Sequence, residues 1–391
     1  MSLDWLIVGG GIHGVHIAAR LLGEAEVAPE QLRILDPGER LLSRWRTCTA
    51  TTGMTHLRSP SVHNLDLQAF SLQHFAGKRK HRKPGLFAPP YDRPALSLFN
   101  AHCDKVIEAF DLDDLHTRDR AVSCEVDCDG VRVRLSSGGQ LEAQNLVLAL
   151  GTSEQPRWPS WAPQGTARVQ HVFAPDFDGW PTSMETVAVV GGGISACQVA
   201  IRLANEGHQV HVISRHALRL HQFDSDPGWL GPKFMRRFKR ERDNDRRRAM
   251  ITEARHPGSV PQDVRRALRQ ATSDDQLQWH EDEITDLGLQ DRDVELRLAN
   301  GDLLRADRVL LATGFDARRP GGAMVDELIE SAALPCARCG YPVVDKGLRW
   351  HPRVRVSGPL AELELGPISR NIAGARQAAD RLVQAIQQEV R

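Results

Sequence analysis

The chain has 391 residues, 41% apolar and 26% charged, with 50 basic and 50 acidic side chains. That length calls for two or three domains, the composition is that of a globular protein, and the balanced charge offers no whole-molecule field for nucleic acid or membrane. No run approaches the ~18 apolar residues of a spanning helix, and seven scattered cysteines suit a reducing cytoplasm better than a disulfide framework.

At the N-terminus, Leu6-Ile7-Val8 reads as a buried strand. Gly9-Gly10-Gly11-Ile12-His13-Gly14 reads as a glycine turn, and Val15 to Leu22 as a helix. Asp4 just ahead of this turn leaves no room for a signal peptide, so a cytoplasmic protein is expected. A second strand, Leu32 to Leu35, ends at Asp36. Residues 43–100 are polar and proline-punctuated, suiting loops and short helices over a ligand. Residues 152–182 suit a connector. The opening plan then returns: strand Val187 to Val190, turn Gly191-Gly192-Gly193-Ile194-Ser195-Ala196, a helix through Ala204, and strand Val210 to Ile213 ending at Ser214-Arg215.

A second repeat lies downstream of each turn. Residues 131–151 and 294–314 align without a gap at an offset of 163 residues, matching Gly138 to Gly301, Leu141 to Leu304 and Gly151 to Gly314. Each copy reads as alternating strands with a tight turn, then an apolar strand buried on both faces. Residues 224–275 interrupt the second copy. Their middle, Lys233 to Arg248, is strongly basic, a solvated helix face or, more sharply read, a surface that attracts phosphate. Cys336 and Cys339 form an isolated CxxC, too little for a structural zinc site, and no metal is expected. Ala373 to Val390 reads as an amphipathic helix.

The fold expected is α/β, with two Rossmann-like dinucleotide-binding domains, each carrying a β-meander, the second inserted into the first. The first domain would span residues 1–182 and 305–391, the second residues 183–304 with a helical insertion at 224–275.

In each turn the first glycine (Gly9, Gly191) permits the bend, and the second (Gly11, Gly193) lets backbone approach a pyrophosphate. The third position (Gly14, Ala196) packs helix on strand. The pyrophosphate would sit on the helix N-terminus, beside Ser195 in the second unit. Asp36 would accept hydrogen bonds from ribose hydroxyls and repel a 2′-phosphate, as FAD or NAD requires. Ser214 and Arg215 occupy the equivalent place in the second unit and suit the 2′-phosphate of NADP, with NAD the alternative.

These two fingerprints resemble those of the FAD- and NAD(P)-dependent oxidoreductases with two dinucleotide-binding domains. More narrowly, four stretches resemble the flavin monooxygenases, in particular the branch that N-hydroxylates lysine or ornithine. They are Leu311-Ala312-Thr313-Gly314-Phe315; Trp45 with Gly53-Met54-Thr55-His56-Leu57-Arg58; Pro90-Tyr91 with Arg93-Pro94 and Phe99; and Gly358 with Glu364-Leu365-Gly366-Pro367 and Asn371. Ile12 stands where that branch has proline, and Trp161, Gly165, His171 and Phe173 echo the wider monooxygenase fingerprint with Val172 in place of its serine. The resemblance implies that Trp45, Met54, Leu57, Gly151, Gly358, Leu365, Gly366 and Pro367 contact the flavin and that Thr313 and Gly314 belong to the nucleotide sites. It also implies that His56, Arg58 and Asn371 are polar groups at the flavin edge. The activity implied is reduction of FAD by NADPH, addition of O2 as a C4a-hydroperoxide, and oxygen transfer to a small nucleophile such as an amine. The alternative is a flavin reductase or dehydrogenase that passes electrons to a quinone, disulfide or protein. A third reading is a regulatory protein that keeps its flavin for structure.

Overall fold

The computed structural model describes residues 3–389. Two sheets organise the chain, the first with a parallel centre and antiparallel additions. The first runs in the order Arg349–His351, Val354–Val356, Gln140–Leu148, Leu3–Val8, Leu32–Asp36, His116–Arg118. The antiparallel strands Ala121–Val126 and Val131–Leu135 join it through Gln140–Leu148, forming the first meander. The second sheet is wholly parallel, in the order Leu277–Glu281, Gln209–Ser214, Thr186–Val190, Arg308–Leu311, Val169–His171. Its meander, Ile284–Leu289, Val294–Leu298 and Leu303–Ala306, stands apart as a small antiparallel sheet. The fold is therefore the expected pair of Rossmann-like units, each with a meander.

The two copies of the repeat are used differently. In the first, Gln140–Leu148 is one strand that serves both the meander and the parallel sheet. In the second the equivalent run breaks at Asp307, whose carboxylate accepts the Thr186 N–H at 2.8 Å while its own N–H donates to Thr186 carbonyl oxygen at 2.9 Å. Residues 303–306 stay in the meander and Arg308–Leu311 passes to the parallel sheet. The expected domain limits at 182/183 and 304/305 thus cut through one sheet, since Val169–His171 and Arg308–Leu311 both pair within it. Residues 349–356 return to the first sheet.

Apolar strands bury both faces of each sheet. Ile7, Ile34 and Val147 pack under the first helix, Ile12–Glu24, and the last helix, Ile372–Glu389. Leu6, Val8, Leu146 and Leu148 fill the opposite face. The inserted region splits in two. Helix Gln262–Ser273 buries Leu268 and Ala271 on the second sheet. Helices Pro232–Arg240 and Asn244–Ala254 bury Met235, Phe238 and Ile251, with Trp229 just ahead of them, against Tyr341, Leu363 and Ile368 of the C-terminal region. Lys233, Arg236, Arg237, Lys239 and Arg240 point to solvent, whereas Arg247 and Arg248 of the same basic stretch turn inward to Glu364 and Glu362. Among the described residues no helix is long and apolar enough to cross a membrane.

Candidate functional site

The first nucleotide turn is built by close backbone approach. A β-carbon on Gly9, whose φ is +112°, would lie 2.6 Å from the Ala149 carbonyl oxygen, and one on Gly14 would lie 1.8 Å from that of Gly9. Gly11 has nothing within 4 Å of its β-carbon position, which leaves open space over the N-terminus of helix Ile12–Glu24. The second turn repeats the construction: Gly191 has φ +144°, and a β-carbon there would lie 2.5 Å from the Ala312 carbonyl oxygen. Its third position tolerates Ala196, which is fully buried. Both cradles fit a dinucleotide, since side chains are excluded where backbone must approach a pyrophosphate.

The residues flanking these cradles differ in how free they are. Asp36 takes the Gly10 N–H on Oδ2 at 2.7 Å and the Gly38 N–H on Oδ1 at 2.8 Å, so its carboxylate also holds the turn closed. Lone pairs on both oxygens remain for ribose hydroxyls. Ser214 is 2% exposed; its hydroxyl donates to the His216 carbonyl at 2.8 Å and lies under Gly192. It closes the loop after its strand and is not presented to a phosphate. Arg215 is open to solvent: its side chain is 65% exposed and makes a long, exposed pair with Glu283 at 4.0 Å. Ser195 is half-buried in the first turn of helix Ile194–Asn205.

The expected flavin contacts also divide. Gly358, with φ +66°, lies beside His13, whose ring shares a 2.8 Å hydrogen bond with the Ser357 hydroxyl. Trp45 donates to Asn100 at 3.0 Å and tilts on Phe99, Met54 packs at the edge of the same core, and Leu57 is buried in it. Leu365 is buried in the core of the first sheet. Gly366 lies under Met235, Trp229 and Phe238 of the inserted region, and Pro367 gives its carbonyl to Arg255 at 3.3 Å. That segment is covered by the insertion, because the apolar faces of the inserted helices have nowhere else to be buried. Gly151 is exposed three residues past its strand. Thr313 donates its hydroxyl to the Arg157 carbonyl, Gly314 accepts the Arg157 N–H at 2.9 Å, and Phe315 stacks on Phe173. This motif therefore fastens the connector.

The three polar candidates occupy separate networks. His56 bonds the Gly85 carbonyl at 2.8 Å. Asn371 accepts the Gly374 N–H at 2.9 Å and so caps the last helix. Arg58 reaches the second unit, donating to the carbonyls of Gln222 (3.0 Å) and His221 (2.8 Å) and to the Ser259 hydroxyl (3.3 Å).

Arg58 opens onto a junction that the sequence did not announce. Segment 255–259 runs between the two nucleotide units: Gly258 Cα lies 3.4 Å from the β-carbon position of Gly193, and Arg255 donates to Glu362 at 3.1 Å. His221 and His256 stack there with centroids 3.8 Å apart. Glu362, fully buried, receives Arg370 at 2.8 and 2.9 Å as well as Arg248. Burial pushes this carboxyl up, but the hydrogen bonds and charge of Arg370 and the charges of Arg255 and Arg248 outweigh it and hold the group below the usual carboxylate range. A buried carboxylate in Glu362-Leu-Glu364 has no sequence signature that separates it from an exposed one.

A family model described as pyridine nucleotide-disulphide oxidoreductase matches residues 6–258, and one described as FAD-NAD(P)-binding matches residues 261–316. No curated protein matches the chain significantly. Among solved structures the chain is similar to the ornithine N-hydroxylase of Kutzneria sp. 744, at 18% identity and TM-score 0.78 with all of both chains covered. It is similar to the reduced ornithine hydroxylase of Pseudomonas aeruginosa, at 19% and 0.76 over all of both chains. The bacillithiol disulfide reductase of Bacillus cereus matches at 15% and 0.64, again over all of both chains. With two glycine cradles, two Rossmann-like units and a family match over well more than half its length, the chain belongs to the pyridine nucleotide-disulphide oxidoreductase family and is an FAD- and NAD(P)-binding oxidoreductase.

Proposed function

We propose that the chain is an NADPH-using, FAD-dependent monooxygenase acting on a small nucleophilic acceptor, with an amine as the leading candidate. The observation that carries this reading is segment 255–259, which touches the second glycine turn at Gly193 and the first unit's C-terminal region at Glu362 and Pro367. A hydride donor held on one turn and an acceptor held on the other would meet beside it. Gly9, Gly11 and Gly14 would hold the FAD pyrophosphate and Asp36 its ribose. Gly191, Gly193, Ser195 and Ala196 would hold that of NADPH, with Arg215 on the 2′-phosphate. Bound FAD would supply the hydride-accepting and oxygen-reacting chemistry. The protein's part is to position both nucleotides and keep water from the reaction.

The likeness in fold to the ornithine hydroxylases over the whole chain supports an oxygenase; the Kutzneria enzyme was solved with reduced FAD, NADP+ and L-ornithine. One observation favours the reductase alternative: of the exposed pair Cys336 and Cys339, Cys339 lies near Arg248 at the edge of the junction. Against it, burial outweighs the charge of Arg319 and pushes the Cys336 thiol up, away from the reactive thiolate. The test is to reduce the protein with NADPH without oxygen and then mix it rapidly with oxygenated buffer. An oxygenase shows a transient spectrum distinct from oxidised and reduced flavin. Direct return to oxidised flavin with one equivalent of peroxide overturns the reading.

A further inference from the structure

The junction holds more positive charge than its carboxylates balance. Arg93, Arg58, Arg255, Arg370 and Arg248 form a continuous belt there, against Asp263, Asp224 and Glu362. Asp263 is taken by Arg93 and Glu362 is shared by three guanidiniums. Asp224 acts on both Arg58 and Arg255 and, together with Asp226, on His256 between them. Burial works against the charge of Arg58 and Arg255 and draws both below the ordinary arginine value.

Neither of these two side chains is used up. Arg58 spends Nε and Nη2 on two carbonyls and a hydroxyl, and its Nη1 has no partner among the described residues. Arg255 spends only Nη2, on Glu362 and the Pro367 carbonyl, which leaves Nε and Nη1. Two half-buried guanidiniums with unused N–H groups, in a belt where guanidiniums outnumber carboxylates, are what recognition of a carboxylate or phosphate requires.

We propose that the acceptor substrate carries a negatively charged group, and that Arg58 and Arg255 bind it across the junction between the two units. The proposal rests on the reading of the junction as the reaction site, and it places a specificity device on residues from the first unit and from the insertion. The cofactor's own phosphates are the other source of such chemistry; they are assigned to the glycine turns and Arg215, and because Gly258 lies against the Gly193 turn the NADP+ arm of the test separates the two.

Inorganic sulfate is the probe. The flavin-loaded protein is titrated with sulfate at constant ionic strength against chloride, with and without saturating NADP+, following flavin absorbance and Tm. Binding is read without oxygen or turnover, so a failure of the oxygenase reading leaves this result intact. We expect saturable sulfate binding that persists with NADP+ bound, weakens at least about tenfold in R58Q and in R255Q, and is unchanged in R236Q on the solvated face. R58K and R255K, which keep the charge and lose the fork, recover part of it, and they serve where a glutamine variant does not fold. Sulfate binding abolished by NADP+ would assign the pair to the cofactor and overturn the proposal. So would equal binding by the wild type and the arginine variants, or none at all by the wild type.

Discussion

The guanidinium of Arg93, 1% exposed, donates to the carboxylate of Asp263 at 2.9 Å. Arg93 belongs to the loops over the first unit and Asp263 to the first turn of the inserted helix Gln262–Ser273. The pair therefore fastens the second unit to the first, and an acidic residue in that turn also favours the helix dipole. Arg93 holds the carbonyls of Leu57 and Pro89 as well, so the flavin-side loop is tied to the same point. D263N leaves the buried guanidinium uncompensated and should lower stability by about 2 kcal/mol. D274N, beyond the other end of that helix, should cost under ~0.5 kcal/mol. Urea midpoints at unchanged slope check both.

The glycine cradles give a second prediction, from their one difference. Gly14 cannot carry a methyl group, which would sit 1.8 Å from the Gly9 carbonyl oxygen, whereas Ala196 carries one at the equivalent place. G14A should therefore be recovered without flavin, its absorbance ratio of 450 to 280 nm near that of apoprotein. A196G should keep full flavin content. A flavin-replete G14A would show that this helix start is not where FAD binds.

These turns were legible in the sequence because their demands are local: a backbone bend at Gly9 or Gly191 tolerates few residues, and the strands on either side alternate or run apolar without long-range help. The gapless repeat also located both meanders. What it could not tell is that Asp307 ends one strand and starts another, because the carboxylate acts by bonding Thr186, far away in sequence. The junction was hidden for the same reason. Glu362 meets Arg248 and Arg255 across more than a hundred residues. Arg58, named as a flavin-edge group, proved to reach the second unit. Ser214 fitted the pattern of a phosphate ligand, yet its hydroxyl is spent on its own loop.

Buried histidines set the response to acid. Burial lowers His13 and His102 to about 4 and His16 to about 3. In the unfolded chain each takes up a proton near its ordinary value of about 6.5, while in the fold each stays neutral to much lower pH. Between these limits the unfolded state binds more protons, so stability is full above pH ~6.5 and falls as pH drops toward 4. Each histidine contributes up to ~1.4 kcal/mol per pH unit in that window. H16Q can still donate to the Leu65 carbonyl that His16 bonds at 2.8 Å. It should flatten the slope of unfolding free energy against pH by about one such contribution. A slope unchanged in H16Q would show that His16 is protonated in the fold.

Arg215 decides between the two nicotinamide cofactors. Its guanidinium stands just past the end of strand Gln209–Ser214, in a long exposed pair with Glu283 at 4.0 Å that a phosphate would readily replace. A charge-assisted bond to a 2′-phosphate at such an exposed place is worth the low end of the usual range, about 1.5 kcal/mol. R215A should raise KM for NADPH roughly tenfold and leave KM for NADH within a factor of two. Equal changes for both cofactors would remove Arg215 from the phosphate site.

The strongest single dependence is on Glu362. It is the one carboxylate that Arg248, Arg255 and Arg370 all contact, and it joins helix Asn244–Ala254 to the segment ahead of the last helix. E362Q keeps the shape and removes the charge, leaving three partly buried guanidiniums to repel one another. The cost should be at least ~3 kcal/mol at pH 7, whereas E154Q, which breaks an exposed pair with Arg120, should cost under ~1 kcal/mol. The sign of the pH dependence is opposite in origin to that of the histidines. A carboxyl held below its ordinary range stabilises the fold above pH ~4.3, and that contribution disappears as acid protonates it. The gap between wild type and E362Q should therefore be widest at neutral pH and shrink below pH 4. Because the insertion is held at this point, E362Q should also be cleaved faster by trypsin in the exposed basic turn at 239–242 at pH 7.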